Sequence, residues 1–308
     1  MRSARNLYRL NLSLAALGAL AAAAGIAVAL HRVQFSFGSL SLWLRDCDRF
    51  LLPHLTPDRL AVLALGLLGT FALGRAVRSA VGQIRATRRL VQRVPILGER
   101  DIAQHRVRVL AGTRPQAFCT GYSRPRIYIS HIALERLSEV QRVAVLAHEA
   151  HHARRRDPLR QAVLTVLADS LFFLPGLRRL ERRYRELAEL AADEAAVSAV
   201  ETASVLAAAL LQFDDGGTPG TGGVAAERVD HLLGGRPRWG VPVSMLAGTF
   251  LTASGLLALT LLVWSAVSVR TNLGTVAMQG CMIAMVVAPV LVLVGLAIVG
   301  RRRLSASW

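Results

Sequence analysis

The sequence predicts a mainly α-helical membrane protein, with about four transmembrane helices and one α+β domain between them. The first observation behind this prediction is composition. The 308 residues are 53% hydrophobic with a mean hydropathy of +0.41, yet the formal net charge is +17. The second observation is the order of apolar and charged residues along the chain. Long uncharged runs near both ends flank a charged central part. Apolar membrane spans with basic segments between them account for both.

The absence of lysine excludes several kinds of site, since all 37 basic residues are arginine. A Walker A loop needs a lysine that reaches the phosphates, and Schiff-base catalysis needs a lysine amine. A penicillin-binding serine site requires lysine in both S-x-x-K and K-T-G. We therefore expect no direct β-lactam binding.

The N-terminal region is predicted to form two transmembrane helices. Residues 10–30 carry no charge and supply the ~20 residues that cross a bilayer. A cleavable signal peptide is the alternative, but its apolar core is usually only ~7–15 residues long. The second run, 60–74, follows a plausible helix start at Pro57 and Asp58. It can span if its flanking arginines reach the interfaces.

The C-terminal region is predicted to form a transmembrane hairpin and a basic tail. Residues 241–269 and 273–299 are two long uncharged runs. With four spans, the arginine clusters at 2–9, 75–93 and 301–303 all fall on one side of the membrane. The positive-inside rule makes that side cytoplasmic.

The predicted organisation is therefore three consecutive regions. Residues 1–75 form the N-terminal pair of transmembrane helices, 76–240 a cytoplasmic domain, and 241–308 the C-terminal hairpin and tail. We expect a multi-pass protein of a bacterial-type plasma membrane, with both termini cytoplasmic. Within the domain, 161–177 is apolar but contains an aspartate and a proline. We interpret it as a core or membrane-dipping helix.

The first part of the domain is predicted to form a small antiparallel sheet. Residues 106–110 and 126–130 alternate polar and apolar side chains, and glycine and proline punctuate the turns between them. The 126–130 strand is expected to be an edge along which a substrate could add as a further strand.

A capped helix follows the sheet in the prediction. Ser138 and Gln141 have the spacing of a capping box, with Ser138 as the N-cap. Pro158 disfavours helix at Asp157, so we expect the break there. Asp157 can then cap the next helix.

The capped helix carries an H-E-x-x-H motif, His148-Glu149-Ala150-His151-His152. The i,i+4 spacing places His148 and His152 on one helical face, so that two imidazoles can bind one zinc ion. Glu149 is badly placed to bind the metal but close enough to reach a water beside it. His151 is expected to be a neighbour of the site rather than a ligand.

A third ligand is expected from a second helix, because a catalytic zinc ion usually keeps three protein ligands and one open position. Residues 178–200 form the candidate helix, on which Glu189 and Asp193 share one face at i,i+4. Glu186 is a rival ligand on the same helix. The alternative is a solvated face whose glutamates only pair with neighbouring arginines.

The two motifs together resemble the membrane metallopeptidases of the BlaR/MecR kind, the antirepressor proteases of β-lactam signalling. HEAHHARRRDPL is followed by ELAADEAA, and the segments at 121–127 (GYSRPRI) and 227–233 (ERVDHLL) are also similar to segments of that family. The resemblance covers the chain from about residue 75 to the last spans.

This resemblance implies a gluzincin-like zinc endopeptidase that takes part in signal transduction. His148, His152 and Glu189 match the zinc ligands, and Glu149 matches the general base. Asp193 matches a carboxylate that orients a ligand. Zn²⁺ is the implied cofactor, and a protein such as a transcriptional repressor is the implied substrate. Tyr184 and His131 are candidate oxyanion stabilisers.

Two alternatives to a regulatory protease stay open. HtpX-like quality-control proteases share the zinc pattern. An arginine-rich membrane scaffold or signalling protein is the non-enzymatic alternative. We expect no direct nucleic-acid binding, because the cytoplasmic segments lack aromatic side chains interleaved with basic ones. The sequence departs from the family in one respect: only residues 301–308 follow the last predicted span, so no penicillin-binding sensor domain is expected.

Overall fold

The computed structural model describes residues 2–34, 57–93, 95–213, 228, 241–266 and 271–272. The predicted span at 273–299 and the arginine cluster at 301–303 lie outside these residues. By its contacts the chain divides into two compact units, one of residues 1–20 with 71–256 and the other of residues 21–70 with 257–308.

The elements follow a simple order, with long helices on either side of an α+β segment. In chain order they are α1 (Arg2–Arg32), β1 (Val33–Gln34), α2 (Pro57–Arg93), β2 (Ile96–Ile102), β3 (His105–Leu110), β4 (Ala117–Thr120), β5 (Arg126–Ser130), α3 (His131–Arg136), α4 (Glu139–Arg155), α5 (Asp157–Ser170), α6 (Leu177–Val200), α7 (Ala203–Phe213), α8 (Val243–Ala266) and β6 (Thr271–Asn272).

Three helices in the described part of the chain are long and apolar enough to cross a membrane. The candidate spans are Ala4–Arg32 in α1, Leu60–Gln92 in α2 and Val243–Ser265 in α8. Helix α2 begins at Pro57, as predicted, where proline suits the first helical position. It continues far past the predicted run at 60–74, because no proline interrupts it before Arg93. These apolar helices indicate membrane association.

Helices α1 and α2 approach each other closely at glycines within the unit that contains residues 21–70. A Cβ atom added at Gly69 would lie 2.5 Å from the carbonyl oxygen of Ala22, and one added at Gly25 would lie 2.8 Å from that of Leu65. Small residues at such positions let two helix backbones come together in an apolar environment. The glycines therefore set the distance between α1 and α2.

The sheet has four strands in the order β2-β3-β5-β4 and is mixed. The pairs β2–β3 and β4–β5 are antiparallel, but β3 and β5 run parallel, with Val107 opposite Ile127. The prediction of a purely antiparallel sheet missed this pair, because β5 inserts between β3 and β4. Strand β5 is therefore internal, and the predicted edge at 126–130 is wrong; β2 and β4 form the edges. The sequence also missed β2, whose residues are mostly exposed and show no buried face.

Helix α4 packs across the sheet and begins with the predicted capping box. The Gln141 N–H donates to Ser138 Oγ over 3.3 Å, and the Ser138 N–H donates to Gln141 Oε1 over 2.9 Å. Val145 and Leu146 of α4 are buried against β3 and β5 in one core cluster. The capping box fixes where α4 begins, and this core fixes which face of α4 packs against the sheet.

A second core joins α1 to α5 and α6. It contains buried leucines from each of these helices, among them Leu7 of α1, Leu164 of α5 and Leu180 of α6. The apolar 161–177 stretch thus contains the part of α5 from residue 161 to its end at Ser170. It contributes core residues, as one of its two interpretations predicted.

We expect Gly69→Ala to weaken the packing of α1 on α2. The added methyl group meets the Ala22 carbonyl oxygen, and overpacking of this kind costs about 1–3 kcal/mol. Gly74→Ala is the matched control on the same helix, because nothing lies within 4 Å of its added Cβ. Both variants gain the helix preference of alanine over glycine, so the difference between their Tm values in detergent isolates the clash. Equal Tm values would contradict the close approach.

Candidate metal centre

Helix α4 places the H-E-x-x-H residues in a buried position. His148, Glu149 and His152 are each less than one tenth exposed. The helix ends at Arg155, and the next residue, Arg156, has left-handed backbone angles (φ 54°, ψ 41°) that allow a sharp turn into α5. That turn brings the first residue of α5 back beside the last turn of α4.

The two predicted histidine ligands point their Nε2 atoms at one point. His148 Nε2 and His152 Nε2 are 3.2 Å apart, and the ring centroids are 4.9 Å apart at an interplanar angle of 75°. The i,i+4 spacing therefore produces the convergence that the sequence predicted.

Glu189 on α6 completes this cluster, whereas Glu186 does not join it. Glu189 Oε2 lies 3.6 Å from His148 Nε2, and Glu189 Oε1 lies 3.5 Å from His152 Nε2. Glu186 instead accepts from Arg183 over 2.7 Å, and its side chain is 51% exposed. The geometry therefore favours Glu189 over its rival.

The separations among the three residues fit a tetrahedral metal ion. Two nitrogen ligands at ~2.0–2.1 Å from zinc lie roughly 3.3–3.4 Å apart, close to the observed 3.2 Å. A hydrogen bond between the imidazoles would give a similar distance, but it would not explain why Glu189 faces both nitrogens. The side chain of Glu189 is 36% exposed, so the cluster is reachable from solvent. His148, His152 and Glu189 are thus compatible with a metal site.

The electrostatics of the cluster favour positive charge at its centre. Burial alone would lower the pKa of His148, but the carboxylates of Asp193, Glu189 and Glu149 outweigh it and raise that pKa to about 10. Burial alone would raise the pKa of Glu189, yet His148, His152 and a nearby arginine bring it down to about 2. The carboxylates around the two imidazoles therefore make positive charge favourable at this position.

A carboxylate lies behind each histidine, on the side away from the point of convergence. Asp193 Oδ1 is 3.1 Å from His148 Nδ1, a direct polar contact although the N–H direction is not ideally aligned. Asp157 Oδ2 is 2.9 Å from His152 Nδ1. Carboxylates at this position fix the tautomer and the ring orientation of metal-binding histidines.

Asp157 is the residue whose role sequence reasoning missed. The expectation that its side chain caps α5 is wrong, because α5 has no side-chain cap and Asp157 is its first helical residue. The buried carboxylate instead accepts from Tyr184, whose hydroxyl lies 2.9 Å from Asp157 Oδ1. The sequence contained one signal for this role: an acidic residue five positions after the second histidine, directly at a helix break.

Glu149 lies beside the cluster and against strand β4. The Cys119 backbone N–H donates to its carboxylate, while burial and the charge of Glu189 raise its pKa. A carboxylate with a raised pKa is suited to take up a proton near neutral pH. Burial and the charge of Glu149 raise the pKa of the neighbouring Cys119 thiol to about 12, which favours its protonated form.

Three further residues that the sequence singled out lie outside the group of proposed ligands. His151 is buried and its ring centroid is 6.4 Å from that of His152, so it is a neighbour of the cluster, as expected. Tyr184 is fully buried and binds Asp157, and His131 Nδ1 faces the Leu110 carbonyl oxygen at 3.4 Å. The structure therefore does not bring Tyr184 or His131 to the place of an oxyanion stabiliser.

Comparison with known families agrees with this geometry. Residues 69–219 match the family model described as BlaR1 peptidase M56. The matched segment contains α4 and α6, and with them the three residues of the cluster and Glu149. This part of the chain is a metallopeptidase domain of the BlaR/MecR type. No curated protein and no solved structure matches the chain.

We expect Asp157→Asn to lower the affinity for zinc by about 10–100-fold, because a neutral amide orients His152 less strongly than a carboxylate does. Asparagine has nearly the same size as aspartate, so the substitution removes the charge behind His152 while leaving the packing nearly unchanged. Glu186→Gln is the control, an exposed acid-to-amide change on α6. Zinc affinity is measured by competition with a chelator. If Asp157→Asn binds zinc as the wild type does, the orienting role is wrong.

Proposed function

We propose that this protein is a zinc-dependent endopeptidase that cleaves a cytoplasmic or membrane-proximal protein. The convergence of His148 Nε2, His152 Nε2 and the Glu189 carboxylate, with buried Glu149 beside them, carries the proposal. His148, His152 and Glu189 are the proposed zinc ligands, Glu149 the proposed general base, and Asp193 the carboxylate that orients His148.

The proposed mechanism assigns one task to each group. His148, His152 and Glu189 would hold zinc, which would supply a Lewis acid to polarise a carbonyl group and to acidify water. The Glu149 carboxylate takes a proton from the attacking water and delivers it to the leaving amide nitrogen. Asp193 and Asp157 hold the two imidazoles so that their Nε2 atoms face the cluster.

The substrate is proposed to add as a strand along β4, the sheet edge nearest to Glu149. The Ser130 N–H donates to the Gln116 carbonyl oxygen, so the antiparallel register directs the Ala117 N–H away from β5. The Cys119 N–H is already occupied by Glu149. The Ala117 main chain is therefore the part of β4 that is suited to pair with a peptide, and pairing there brings its backbone beside Glu149.

The proposed setting is the cytoplasmic face of a bacterial-type plasma membrane. The family implies a protein substrate, and the apolar helices imply a lipid bilayer. We keep the sequence-based organisation of a helix pair at 1–75, a cytoplasmic protease domain at 76–240 and a C-terminal hairpin with its tail at 241–308. The arginines that flank the spans support this orientation. A repressor-type substrate is supported only by the family.

We expect Glu149→Gln to retain zinc and to lower cleavage by about 10²–10⁴-fold, because the amide cannot accept the proton from water. Metal content is measured on the purified full chain, and cleavage by comparing the proteins cut in cells that carry either form. Glu186→Gln should behave as the wild type. Activity that survives in Glu149→Gln would sink the proposed mechanism.

The same comparison separates the alternatives. One cleaved protein supports a regulatory enzyme, whereas cleavage of many unfolded membrane proteins supports HtpX-like quality control. A chain that binds no zinc and cleaves nothing would support the arginine-rich scaffold.

We expect Ala117→Pro to raise KM about fivefold, equivalent to one lost hydrogen bond of about 1 kcal/mol. Proline removes the outward N–H and is tolerated on an edge strand whose N–H faces away from the sheet. Ala117→Val keeps the N–H and serves as the control. KM is measured with the substrate found by the proteome comparison. An equal KM for both variants would show that the substrate does not pair with β4 at this residue.

A further inference from the structure

Arg228 is the described residue that reaches the metal centre from beyond the matched peptidase segment. The family match ends at residue 219. The Arg228 side chain is only 15% exposed, and it donates through Nε and Nη2 to both oxygens of Asp193, each over 2.7 Å. Two parallel N–H···O contacts of this kind form the strongest arginine–carboxylate arrangement.

The same guanidinium group also faces the proposed third ligand. Arg228 Nη1 lies 3.5 Å from Glu189 Oε2. Three of its nitrogen atoms are therefore directed at the two acidic residues that α6 contributes to the site. One rigid, planar group thus contacts both Asp193 and Glu189.

We propose that Arg228 is a positioning residue of the metal centre, which holds Asp193 against His148 and keeps Glu189 turned toward the metal. This inference rests on the proposed zinc site. Asp193 is fully buried, and a buried carboxylate that loses a charged partner is strongly destabilised. Without Arg228, Asp193 keeps its contact with His148 but loses its guanidinium partner, and its preferred position changes.

Arginine suits this role better than lysine. A lysine ammonium is a point charge that can approach one oxygen, but it cannot match both carboxylate oxygens with a planar fork. Arginine also keeps its proton when buried. The role therefore depends on the shape of the group as well as on its charge.

The sign of the effect on zinc affinity distinguishes positioning from simple electrostatics. A positive charge beside a ligand carboxylate repels the metal ion, so removing it would by itself tighten zinc binding. If Arg228 positions the ligands, its removal weakens zinc binding. Mutation of a residue that holds a metal ligand in place typically lowers metal affinity about 10–100-fold.

The experiment compares the full chain in detergent as wild type, Arg228→Gln and Arg228→Lys. Zinc dissociation constants are measured by chelator competition, and the visible spectrum of the cobalt-substituted protein reports the ligand geometry. We expect the dissociation constant to rise about 10–100-fold in Arg228→Gln and by less in Arg228→Lys, with a changed cobalt spectrum in both. Arg106→Gln is the control, because its partner Glu99 lies outside the cluster and its side chain is 77% exposed.

Each outcome is decisive. Wild-type zinc affinity, or tighter binding, in Arg228→Gln with an unchanged cobalt spectrum would overturn the inference and leave the proposed function intact. A wild-type chain without zinc and without cleavage would overturn the proposed function itself. If Arg228→Gln does not fold, Arg228→Lys decides: unchanged affinity and an unchanged cobalt spectrum contradict the positioning role.

Discussion

The contacts between two buried imidazoles and the carboxylates around them constrain the rest of the peptidase fold. Removing a carboxylate from water costs several kcal/mol unless it has a partner. Each of the three buried carboxylates has a partner on a different element. Asp157 accepts from a tyrosine of α6, Asp193 from an arginine beyond α7, and Glu149 from a backbone N–H of β4. The packing of α4, α5, α6 and the sheet brings all three partners to the site, so the fold and the chemistry of the site are linked.

The sequence predicted the parts of this site that depend on helical spacing. The side chains of His148 and His152 converge because residues four apart on one helix face the same way. Glu189 joins them because α4 packs against α6. The capping box at Ser138 was equally local. Spacing could not reveal the role of Asp157, because that role depends on the left-handed turn at Arg156. The order of the strands was also out of reach, since a parallel pair depends on contacts distant in sequence.

A chain whose 37 basic residues are all arginine is well adapted to a buried charged site. Guanidinium groups keep their charge in surroundings where an ammonium group would lose its proton. They also bind carboxylates in a fixed orientation, as Arg228 does with Asp193. The basic composition that first indicated membrane topology therefore has a second use, as a source of rigid partners for buried acids.

The shared core of α1, α5 and α6 gives the first apolar helix a role beyond anchoring. Tyr8 of α1 packs on Tyr184 with ring centroids 5.5 Å apart, and Tyr184 holds Asp157. Two side-chain contacts thus connect α1 to the carboxylate behind His152. The first turns of α1 are therefore part of the core beside the histidine cluster, and a change in their position would alter the packing of Tyr184, which holds Asp157.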